Sequence, residues 1–182
     1  MPRLAPITSK SALPADHQDI ADAVVQVFGH IRGPFSMLLH SPQLAERLLP
    51  LVTFVREESI VEPRLRFAAI LTAACESNAD YVWAAQVEQA RKNGIPADFI
   101  ELIRTKGDTA GLAGDERNVV LYVRQLVREK RVDATTFDAL EKKFSAQWLV
   151  ELTAIVSFFG FVSGICNAFE VAPPAGGDLL HR

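Results

Sequence analysis

Cys75 is the side chain with the most scope for covalent chemistry in this 182-residue chain. A thiolate is a nucleophile and a redox centre, and its reactivity follows its acidity. Cys75 shares a spacing-of-four stripe with Phe67 and Leu71, which on a helix is an apolar face. A free cysteine on such a face is most often a small buried hydrophobe. Its neighbour Glu76 would raise the thiol pKa rather than lower it. Cys166 sits in a longer apolar run and reads as packing; whether the two thiols, 91 positions apart, form a disulfide is left open by sequence.

His40, in Leu38-Leu39-His40-Ser41-Pro42, is the candidate acid–base group. At a helix junction a neutral imidazole ordinarily satisfies backbone groups. His17 and His30 read as surface or helix-end residues. The four histidines show no His-x-x-x-His or Glu-x-x-His spacing, so neither a metal site nor a cofactor is expected. Tyr81 and Trp83 lie two apart and so face different sides of one helix. Either one lines a pocket while the other packs, and a buried phenol needs a partner for its oxygen.

The elements that must carry these residues all keep helical spacing. Ile20, Val24, Val27 and Phe28 mark a helix over 16–28, ended by Gly29 and Gly33-Pro34. A short turn follows at 35–40. Ser41-Pro42 looks like a capping hydroxyl before a first-turn proline, with Leu44, Leu48, Leu51, Val52 and Val55 as the next apolar stripe. Pro63 opens a helix that Ser77-Asn78 interrupts before another over 80–92, and Asn93-Gly94 suits a left-handed C-terminal cap. Helices are predicted over 96–104, 115–130 and 135–143, the last capped by Asp133, and Ser145 starts a long final one. Residues 1–14 are expected as an extended arm, 15–172 as one helical domain and 173–182 as a flexible tail. The prediction is an all-α bundle of about eight or nine helices.

The stretch from Glu62 to Ile103 carries a family resemblance. Tyr81-Val82-Trp83-Ala84-Ala85-Gln86 resembles the Tyr-x-Trp-x-x-His signature of the carboxymuconolactone decarboxylase and alkylhydroperoxidase D-like superfamily. Ala90, Asn93, Gly94 and Ile95 are similar to its helix end, and 64–71 to its Arg-x-Arg-Glu-x-x-x-Leu helix. The resemblance covers roughly residues 30–172 and implies the alkylhydroperoxidase D-like helical fold. It also implies relatives assembled as trimers or hexamers.

The same alignment of motifs empties the family's chemistry. The relay histidine falls on Gln86, the glutamate on Phe67 and the Cys-x-x-Cys pair on Ala79 and Val82. Glutamine donates a hydrogen bond but cannot shuttle a proton near neutral pH. Carboxy-lyase chemistry would need a cation for the carboxylate, for which Arg64 or Arg66 is the candidate. The resemblance therefore implies a modified pocket that binds a small molecule, anions included, between Arg64, Arg66, Phe67, Tyr81, Trp83 and Gln86. The alternatives are an inactive oligomeric scaffold, or a peroxidase-like activity resting on Cys75 alone.

Composition narrows the partners. The formal charge is −3, with no basic patch to attract nucleic acid or an anionic membrane. Residues 152–169 contain no charge, at the lower length limit of a spanning helix. Serines, glycines and an asparagine dilute the run, so burial in a bundle or at a subunit interface is expected instead. The N-terminal stretch shows no export signal and the thiols are sparse, from which a cytoplasmic protein is expected.

Overall fold

The computed structural model of the chain describes residues 2–180 and contains no strand among them. Nine α-helices follow one another: α1 Gln18–Phe28, α2 Pro34–Leu38, α3 Pro42–Thr53, α4 Pro63–Glu76, α5 Asp80–Lys92, α6 Ala97–Arg104, α7 Gly114–Glu129, α8 Ala134–Glu141 and α9 Ala146–Ala168. Two short 3₁₀ turns, Lys10–Ala12 and Ala15–His17, precede α1.

Local chemistry explains most boundaries. Prolines 34, 42 and 63 occupy first turns, where a missing N–H costs nothing. Asp133 and Ser145 accept hydrogen bonds from the amides of Thr136 and Trp148. Gly94 takes φ +74°, and the Ile95 amide returns to the Ala90 carbonyl at 3.0 Å, the left-handed closure expected at Asn93-Gly94. Ser41 departs from expectation: its side chain makes no capping bond, and its backbone carbonyl instead accepts from Leu44 and Ala45. The α3 stripe is also rotated. Ala45, Leu49 and Val52 are buried, whereas Leu44 and Leu51 are exposed.

The helix α4 is the axis of the bundle, packed by α5, α6, α7 and α9. Leu65 and every residue from Phe67 to Cys75 are buried, so its apolar surface runs all round and its alanines let neighbours approach closely. α9 lies alongside. By length and composition it could cross a bilayer, and 56% of its most apolar 18-residue stretch is buried inside the bundle.

After α3, which carries Pro50, the backbone widens into a π-helical turn over Phe54–Glu58, closed by the Ser59 amide on the Phe54 carbonyl at 3.0 Å. The next loop is pinned to α9: buried Glu151 accepts from the Ile60 amide at 2.8 Å, and the Trp148 indole donates to Glu62 at 3.0 Å. These bonds fix the π turn against the body of the protein.

Both terminal segments, as far as they are described, lie against the bundle. In the N-terminal segment, Ile7 and Leu13 are buried and the Arg3 amide reaches the Phe169 carbonyl at 2.9 Å. The segment expected as a flexible tail runs along α5 as far as Leu180, which is buried. Asp178 bridges Arg91 and Arg104 at 2.5 Å each, and the Leu180 amide donates to Asp80 at 3.2 Å. Met1 at the start of the arm and residues 181–182 of the tail lie outside the described residues.

Candidate functional site

A cavity of about 270 Å³ opens beside α5. α5 contributes Tyr81, Val82, Ala85, Gln86 and Gln89, one face of a helix at spacings of three and four. The end of α1 and the link to α2 bring Phe28, His30, Arg32 and Phe35. Val52 and Arg56 come from α3 and the π turn, Phe158, Phe159 and Val162 from α9, and Pro174 from the C-terminal segment. The walls are mostly aromatic or aliphatic, with polar groups from His30, Arg32, Arg56, Gln86, Glu88 and Gln89 among them.

Tyr81 is seated by a glycine. Gly33 has φ +58°, and a Cβ built there would lie 2.5 Å from the Tyr81 hydroxyl oxygen and closer still to ring carbons Cε1 and Cζ. No other residue leaves room for the phenol. Burial pushes the Tyr81 pKa up to about 12, with Cys166 adding to the rise and Arg32 opposing it, so the phenol is neutral at physiological pH. Arg56 rides on the Phe28 ring at 5.2 Å, a cation–π contact that holds the guanidinium in place. Its Nη1 is buried and has no acceptor among the described residues.

The residues singled out in the sequence divide between this cavity and the bundle around it. Tyr81 and Gln86 line the cavity, as does Val82, which stands at a cysteine position of the resembled signature. Trp83 is wholly buried on another side of α5, with the Arg104 guanidinium 5.4 Å from its ring centroid. Phe67 is buried in α4 and is not among the cavity walls. Arg64 points to the surface and pairs with buried Glu116, whose hydrogen bond raises the Arg64 pKa. Arg66 is half-buried, and burial lowers its pKa against the opposing charge of Glu57. Neither arginine borders the cavity.

Cys75 faces α6. Its thiol donates to the Ile103 carbonyl at 3.2 Å, and burial raises its pKa, which leaves little thiolate. Cys166 is also a free buried thiol, pushed by burial up to about 12. The exposed His40 ring meets the Ala5 carbonyl at 3.0 Å and so fastens the N-terminal segment. No group of three or more His, Cys, Asp or Glu side chains converges among the described residues in a way that would hold a metal.

Sequence reasoning read His30 as a surface or helix-end residue and passed over Arg32 and Arg56. Gly29 and Gly33-Pro34 mark the first two as loop residues, and nothing in the sequence shows that this loop folds over α5. Arg56 precedes Glu57-Glu58 and looks like an ordinary solvated helix end.

Comparison with solved structures decides the architecture. An Agrobacterium tumefaciens protein of unknown function, described as an AhpD-type antioxidant-defence protein, superposes with a TM-score of 0.69 at 18% identity, over 75% of this chain and 94% of that one. The fold is that of the alkylhydroperoxidase D-like proteins. A peroxidase-related protein from Silicibacter sp. TM1040 matches 96% of this chain and 90% of its own length, with a TM-score of 0.73 at 13% identity. The debrominase Bmp8, as a cysteine-to-alanine variant in complex with 2,3,4-tribromopyrrole, has a TM-score of 0.75 at 17% identity, covering 96% and 95% of the two chains. At these identities the likeness establishes the alkylhydroperoxidase D-like helical fold. No family model matches the sequence, and no curated protein matches it.

Proposed function

We propose that this protein binds a small organic molecule in the cavity beside Gln86 and runs no dithiol relay there. The observation that carries this reading is the cavity itself. Val82 and Gln86 border open space, no thiol faces it, and Phe67 does not plug it. A pocket lined by apolar rings with a few convergent polar groups is the usual form of a ligand site. The debrominase that shares the fold was solved with a small ring compound, which supports a ligand of that size here.

The test is a thermal-shift screen of small carboxylates, lactones and neutral ring compounds against the wild type and Ala85→Trp, whose indole would fill the cavity. A ligand at a hundredfold over its Kd stabilises by about 2.7 kcal/mol, a rise of roughly 5–10 °C for a domain of this size. The rise should vanish in Ala85→Trp. No shift with any compound, or equal shifts in both proteins, refutes a ligand site in this cavity.

One observation favours self-association as a second reading. Val150 is 68% exposed and Phe161 39% exposed on α9, and with Ala154, Ser157 and Gly164 they recur every three or four residues along one apolar stripe. Such a surface suits a second helix. Light scattering at micromolar concentration should give an oligomer that Val150→Glu/Phe161→Glu dissociates. A monomeric wild type refutes it.

A further inference from the structure

We infer, resting on the ligand-binding reading above, that the ligand is a compact aromatic monoanion whose charged group is anchored by Arg56. The cavity volume of about 270 Å³ sits just under the roughly 300 Å³ at which drug-sized pockets begin, which limits the guest to about one substituted ring. Two ring pairs contribute to the walls: Phe28 and Phe35 with centroids 4.9 Å apart, and Phe158 and Phe159 at 5.6 Å in an edge-on arrangement. Aromatic walls of this kind favour a flat guest through offset and edge contacts.

The charge comes from the opposite side of the balance. Arg32 and Arg56 border the cavity, and neither has a carboxylate partner among the described residues. The one acidic residue on the lining, Glu88, is engaged by Lys92 at 2.6 Å. The cavity is therefore left with uncompensated positive charge. Arg56 borders the cavity, and its Nη1 is buried without an acceptor among the described residues, a costly arrangement that a ligand carboxylate drawing the guanidinium towards the cavity would relieve. A carboxylate meets the guanidinium fork in parallel hydrogen bonds. The setting of Arg56 is also unusual, because π-helical turns are rare and frequently found at functional sites. Gln86 and Gln89, one turn apart on α5, remain for a neutral ring substituent.

The experiment is isothermal titration of the full-length protein at low salt and neutral pH with benzoate, benzamide and acetate. Benzoate should bind about ten- to a hundredfold more tightly than benzamide, the range of a charge-assisted hydrogen bond. Acetate, which lacks the ring, should be weaker than benzoate. Arg56→Gln should bring benzoate down to the benzamide level and leave benzamide unchanged, while Arg56→Lys should keep part of the preference. Benzamide binding as well as benzoate, or a preference that survives in Arg56→Gln, overturns the assignment of charge. Acetate matching benzoate overturns the aromatic assignment. In those cases the cavity reading stands as long as Ala85→Trp abolishes binding. If neither ring compound binds the wild type, the aromatic-anion assignment falls, and the thermal-shift screen decides separately whether the cavity takes any ligand. The wild-type comparison needs no variant, so a poorly folding Arg56→Gln does not rescue the inference.

Discussion

Gly33→Ala isolates the contact that builds the cavity wall. Gly33 sits at φ 58° and ψ −136° and is the residue before α2, where its carbonyl accepts from the Ser36 amide at 3.1 Å and the Ser36 hydroxyl at 2.7 Å. Two costs follow from one methyl group. Holding a non-glycine residue in this backbone region costs about 1–3 kcal/mol. Its Cβ would also sit inside the van der Waals envelope of the Tyr81 ring, and forcing a packed ring aside costs about 1–3 kcal/mol more. The sum, roughly 2–6 kcal/mol, corresponds to a Tm loss of roughly 4–24 °C for a chain of this length. Urea unfolding of wild type, Gly33→Ala, Tyr81→Ala and the double variant separates the two parts. In the Tyr81→Ala background only backbone strain should remain, so the cycle should show a coupling of about 1–3 kcal/mol. A total loss below about 1 kcal/mol, under the least strain expected here, or an identical loss in both backgrounds, would refute the claim that this glycine exists to seat the phenol.

Two further predictions concern the ends and the core of the bundle. Asp178→Ala removes the carboxylate shared by Arg91 and Arg104, and the Asp178 and Arg104 side chains are only 6% and 8% exposed. Breaking a buried pair from one side costs about 3 kcal/mol or more, so the urea midpoint should fall clearly and residues 173–180 should become protease-sensitive; an unchanged midpoint would mean that this segment is undocked in solution. Cys166 is raised from 9.0 to about 12 by burial, so the folded state keeps its proton where the unfolded state has lost it. Stability is therefore intact below about pH 9 and declines as pH climbs towards 12, by roughly 3–4 kcal/mol from this thiol alone. Cys166→Ala should flatten that decline in pH-dependent denaturation, and an unaltered slope would show that the thiol is solvated.

Much of the scaffold was legible because its signals are local. First-turn prolines at 42 and 63, the cap at Gly94 and the capping side chains of Asp133 and Ser145 act within a few residues of themselves, whereas Pro34, read as ending α1, starts α2. The all-helical fold follows from them together with the apolar periodicity. Where a signal depended on facing partners, it misled. The α3 stripe turned its Leu44 and Leu51 outward, and Ser41 capped through its carbonyl instead of its hydroxyl.

The candidate site shows the same division. The resemblance put Tyr81 and Gln86 beside a pocket while spacing left open whether Tyr81 or Trp83 faces it, and the structure puts Tyr81 and Gln86 on the cavity. The cation could not be placed. Arg64 and Arg66 are near in sequence and aligned with a familiar motif, yet Arg64 turns to Glu116 and neither reaches the cavity. Arg56 reaches it because a π turn rotates that end of α3 and two bonds to Glu62 and Glu151 pin the following loop.

Backbone preference and hydrophobic spacing, which every residue carries with it, determined that this chain is a bundle of helices and where most of them begin and end. Only tertiary packing decided which polar side chains meet in one cavity. That meeting joins residues from 27 to 174, and the rotation of each helix about its axis is set by neighbours that no local rule can name.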